Sequence, residues 1–76
     1  MIINIMQNCY VCYMRLYHFK EARKCAEYIR KLKPDYPMGY VFVGQSTYYN
    51  KGADYQEIRD TINIIQEGLN KIQNAS

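Results

Sequence analysis

The run Leu32-Lys33-Pro34-Asp35-Tyr36-Pro37 limits what this 76-residue chain can fold into more than any other stretch. Each proline holds the residue before it in an extended conformation, so neither Lys33 nor Tyr36 can continue a helix. Upstream, Lys20 to Leu32 contains no Gly or Pro, and Ala22, Cys25, Ala26, Ile29 and Leu32 recur every three or four residues. That spacing gathers them on one helical face, with Lys20, Arg23, Lys24, Glu27, Arg30 and Lys31 around the remainder. Arg30, Lys31 and Lys33 crowd the end of this helix, where its dipole favours cations. Downstream, Tyr40 opens another apolar segment, and a connection this short makes the two helices antiparallel neighbours.

The remaining segments read as one partner helix on each side of that corner. In Ile2–Leu16, the residues Ile2, Ile5, Met6, Cys9, Tyr13 and Leu16 keep helical spacing. Ile3, Tyr10, Val11 and Met14 make the opposite side apolar too, and a helix apolar nearly all round is covered on more than one side. Tyr17-His18 is the expected turn into the second helix. A third helix is predicted over Tyr40–Tyr49, with Tyr40, Val43, Gly44, Thr47 and Tyr48 sharing a face. Gly52 stands where a left-handed residue would end it. Asp54 and Glu57 form a capping box for a fourth helix, Tyr55–Ile72. There Ile58, Ile62, Ile65, Leu69 and Ile72 alternate steps of four and three. This stripe is shorter than the ~3–4 heptads of a coiled coil, so it is expected to pack on its own hairpin. Gln73–Ser76 is expected to fray. The fold class is therefore all-α: one helical domain over residues 1–76, built as two antiparallel hairpins, 2–36 and 37–74.

Charge is unevenly spread. The net charge is +3, but residues 15–33 carry +5 and residues 34–76 carry −2. The blander reading of the basic run is a solvated face, and the sharper one is a surface for an acidic partner. No apolar run approaches a membrane span. An odd number of cysteines without secretory context points to a reducing intracellular setting, the cytoplasm.

Little in the sequence suggests bond-making chemistry. Cys9-x-x-Cys12 with His18 and Cys25 is the one metal-like constellation, yet a structural zinc needs four convergent ligands, usually from paired turns. Cysteine is also an ordinary small core residue. His18 has no visible nucleophile or orienting acid. Phosphate loops, serine elbows and paired catalytic carboxylates are missing from the sequence. The expectation is a chain that is not an enzyme, with no cofactor, no metal and no small-molecule substrate.

Met6 and Tyr40 lie 34 residues apart, the period of tetratricopeptide repeats. Phe19-Lys20-Glu21-Ala22 with Ala26 and Pro34 resembles the second-helix signature of that family. Tyr40-Val41-Phe42-Val43-Gly44, then Tyr48, Gly52, Asp54-Tyr55 and Glu57-Ile58, resembles its first helix and turn. Tyr10 replaces the glycine of a first repeat, and Ala22 to Ile58 is 36 residues rather than 34. The resemblance implies a solenoid fragment whose first and third helices line a groove for protein. Gln7, Tyr10, Val11, Met14, Val41, Gln45 and Tyr48 would then bind the partner, with Asn4 beside them. Two repeats fall below the three usually needed for a continuous core. A scaffold-like subunit of a larger assembly, a homo-oligomer or a piece of a longer solenoid is thus expected. Leu32-Lys33-Pro34-Asp35 also resembles the linker of pentatricopeptide repeats, which bind RNA; the alternative function is RNA binding through the basic helix Lys20–Lys33.

Overall fold

A computed structural model describes residues 2–75 and contains four helices: α1 (Ile2–Arg15), α2 (Phe19–Leu32), α3 (Pro37–Tyr49) and α4 (Tyr55–Ala75). No strand occurs among the described residues, so Tyr10–Tyr13 and Val41–Val43 are helical despite their β-branched and aromatic content. Helix packing follows chain order, α1 on α2, α2 on α3 and α3 on α4, which gives antiparallel hairpins. The molecule is a slab of 36 × 33 × 13 Å. A body this thin cannot close a core on all sides, and its outer helices keep bare flanks.

Residue chemistry explains the helix ends, and four differ from expectation. Helix α3 starts at Pro37 rather than Tyr40, because a proline in the first turn needs no hydrogen-bond donor and arrives with a helical φ. Tyr36 before it is extended, as the proline demands (φ −86°, ψ 112°). At the end of α3, Gly52 does not take the left-handed conformation. The Asn50 side chain accepts the Gly52 N–H at 3.1 Å instead, and the Asn50 carbonyl accepts Ala53 N–H at 3.0 Å. Half of the capping box forms, since Asp54 Oδ1 accepts the Glu57 N–H at 2.8 Å. The Glu57 carboxylate turns away to Arg23 Nη1 at 2.9 Å. Helix α4 continues through Gln73 to Ala75, where fraying was expected; Ser76 lies outside the described residues.

The left-handed position is used elsewhere, by Tyr17 (φ 61°) after α1. His18 N–H reaches Tyr13 O at 2.8 Å and Tyr17 N–H reaches Met14 O at 3.1 Å, which is the Schellman pattern. That conformation costs a residue with a Cβ about 1–2 kcal/mol. Tyr17 is also 79% exposed. Tyr17→Gly is therefore expected to raise the unfolding free energy by about 1 kcal/mol in urea titration.

The core lies between α1, α2 and α3. Ala22, Ala26, Ile29 and Val43 have no exposed surface, and Tyr10, Cys25 and Tyr40 are buried beside them. The alanines on α2 let α1 and α3 approach; of the face read from the sequence, Ala22, Cys25, Ala26 and Ile29 are buried, while Leu32 at the helix end is 45% exposed. Helix α3 packs on α2 and α4 and also turns apolar side chains such as Val41 and Tyr48 to solvent, so it has no distinct polar side. Its buried Ser46 and Thr47 return hydrogen bonds to the Phe42 and Val43 carbonyls, so neither hydroxyl is left unsatisfied. Thr47 also meets Thr61 of α4 at 3.1 Å.

Candidate functional site

Helix α4 contacts the rest of the molecule along an unexpected line. Over residues 55–73 its buried or half-buried positions are Glu57, Thr61, Ile64, Ile65, Gly68 and Ile72. The small residues Thr61 and Gly68 form the centre of that contact. A Cβ on Gly68 would stand 2.5 Å from two atoms of the Tyr40 ring, so α4 lies against that ring only because the side chain is missing. Tyr40 is held from its other end, where its hydroxyl donates to the Pro34 carbonyl. Gly44 faces Ile65; a Cβ there would meet Ile65 Cδ1 at 3.1 Å.

Seating α4 on Thr61 and Gly68 turns much of its isoleucine and leucine stripe outward. Ile58 is 44% exposed, Ile62 51% and Leu69 53%. The expectation that the whole stripe packs on its own hairpin is thus met by Ile65 and Ile72 only in part. Across from it, α3 exposes Val41 (43%) and Tyr48 (81%). Between the two helices runs an open groove of about 530 Å³, with Tyr40 and Gly68 in its walls and no charged residue among its lining. Tyr49 reaches the same groove, meets Tyr48 edge to face at a centroid distance of 5.1 Å and stacks on Phe19 at 6.5 Å.

The seven partner-binding residues proposed from sequence separate into groups. Val41, Gln45 and Tyr48 line the groove. Val11 is exposed on α1, and Met14 is half-buried against the core. Gln7 donates to the Tyr36 hydroxyl, linking α1 to the proline corner. Tyr10 is a correction: it is 3% exposed and belongs to the core. Its ring stacks on Phe42 at 4.4 Å, and its hydroxyl donates towards Phe42 O at 3.2 Å and Gln45 Oε1 at 3.0 Å. The large aromatic where a glycine was wanted fills the space between α1 and α3. Ile62, Gly68, Leu69 and Tyr49 were missed; a lone glycine amid the isoleucines of a helix was the available signal.

Burial pushes the Tyr10 phenol up to about 12, and the charge of a Tyr49 phenolate adds to the rise. A raised acid favours the fold while protonated, so this contribution is whole below pH 10 and fades between about 10 and 12. Tyr10 should contribute a loss of about 1–2 kcal/mol over that window, and Tyr10→Phe should remove this part of the loss in pH-dependent urea titrations.

The cysteines and charges have structural settings. Cys25 is buried, Cys9 half-buried and Cys12 exposed. Burial, then the neighbouring Cys9, raises the Cys25 thiol. Among the described residues, no three His, Cys, Asp or Glu side chains converge as a metal site would require. On α2, Arg23 is committed inward to Glu57, Glu27 and Thr47 Oγ1, and Arg30 reaches Glu67 of α4 at 4.0 Å. Lys20, Lys24, Lys31 and Lys33 remain exposed. No described helix is long and apolar enough to cross a membrane. Comparisons with protein-family models, curated proteins and solved structures found no match to this chain.

Proposed function

We propose that this chain is a non-catalytic protein-interaction module, a degenerate tetratricopeptide-like pair of hairpins that docks a protein along α3 and α4. One observation carries the reading: the uncharged groove between Val41, Tyr48, Ile65 and Leu69, which adjoins a smaller hollow lined by Ile58, Ile62 and Lys51. Apolar surface of this extent, rimmed by polar side chains, marks interaction sites in soluble proteins. Exposed tyrosines add rigid area with a polar tip, a composition favoured where proteins meet. Sequential helix packing and the close helix approach at Ala22 and Gly44 support the repeat-like arrangement.

A photoreactive amino acid at Tyr48, irradiated in cells making the protein, tests the reading. Cross-links to protein are expected from position 48, whereas the same probe at Tyr28, exposed on α2, should give none. Nucleic-acid adducts from position 28 with none from 48 would replace this reading by RNA binding through the basic helix.

A further inference from the structure

We infer that the occupant of the α3–α4 face is a second copy of this chain, joined by antiparallel contact of α4 with α4 across a two-fold axis near Ile65. The inference rests on the docking reading above and names its partner. Three observations single out a second copy.

The first is charge. The protein has 17 charged residues in 76, yet none lines the groove. At 100° per residue, the outward flank of the α4 ridge carries Asn63, Gln66 and Asn70, all exposed, and the single cation Arg59. The carboxylates of α4 lie on the other side, where Glu57 and Glu67 pair with arginines of α2. An isologous interface sets a surface against itself, so it must be self-complementary. An amide carries both donor and acceptor and satisfies that condition; a row of like charges does not.

The second is direction. Antiparallel helices place the two Arg59 side chains at opposite ends, whereas parallel ones would bring them together. Antiparallel macrodipoles also attract. Gln66, one residue from the axis, then faces Gln66 of the other copy.

The third is area. The ridge from Ile58 to Ile72 is ~21 Å long, too short for a self-sufficient two-stranded coil. Here Val41, Tyr48 and Tyr49 widen it. Together these exposed side chains spread the apolar surface over two helices, towards the ~800 Å² of total surface per partner found in stable interfaces. The ridge of each copy lies along the groove of the other.

Sedimentation equilibrium of the purified full chain tests this. The expected result is a dimer with a dissociation constant in the ~μM range. Leu69→Glu, at a half-exposed position, should weaken it by ~30-fold or more, the loss of a hot spot. Gln66→Glu and Gln66→Lys should each weaken it and a 1:1 mixture should restore it, because only position 66 of the other copy lies opposite. A dimer indifferent to Leu69→Glu, or a charge pair that fails to restore association, overturns the inference. A monomer at ~100 μM also overturns it. If the Tyr48 probe then captures a different protein, the docking reading survives without the second copy; if it captures none, both fall.

Discussion

Tyr10→Ala is expected to leave a large fraction of the chain unfolded at room temperature. The ring is almost wholly buried, stacks on Phe42 and lends its hydroxyl to the Phe42 carbonyl and Gln45. Truncating a buried aromatic to Ala removes both transfer energy and packing, about 3–5 kcal/mol. A domain of this length has about 4–11 kcal/mol in total, so the loss approaches the lower bound of that range. Tyr10→Phe keeps the ring and forfeits only the hydroxyl's hydrogen bonds, about 1 kcal/mol. Urea unfolding followed by circular dichroism separates the two variants. Equal, small losses for both would mean that the α1–α3 contact does not hold the domain together.

Gly68→Ala has the next largest expected effect, and two opposing magnitudes decide its sign. In an exposed helix the change gains about 1 kcal/mol from propensity. Here the new methyl group would lie within 2.8 Å of three Tyr40 ring atoms, and the ring is tethered to the Pro34 carbonyl. Overpacking of that kind costs about 1–3 kcal/mol, occasionally more, and three such contacts place it at the upper end. A net loss of about 2 kcal/mol is expected. In a Tyr40→Leu background the obstacle is gone, so Gly68→Ala should become neutral or stabilising. A double-mutant cycle measures this coupling.

Much of the architecture was legible from residue spacing. The two prolines placed the corner, Ala22, Ala26 and Ile29 marked the inner face of α2, and Asp54 capped α4. Less could be read for α3, because its solvent side carries Val41, Tyr48 and Tyr49 and so offers no polar face to orient it. Tyr48 was grouped with Tyr40 and Val43 by spacing but stands in solvent, while Ser46 is buried. The seating of α4 was hidden for another reason. Thr61 and Gly68 are a hydroxyl and a missing side chain, invisible to a count of apolar residues, yet α4 meets α3 through them. Reading the isoleucine stripe as the packed face therefore turned the helix away from its true contact. The groove exists because of that difference.

On the docking proposal, the α4 ridge is spared by the fold and kept for a partner. The most direct test is the unfolding free energy of the double variant Ile62→Glu/Leu69→Glu, extrapolated to protein concentrations too low for association. The account predicts a value within about 1 kcal/mol of wild type, as for surface positions. A loss of about 3 kcal/mol or more would place both side chains in the core and contradict it.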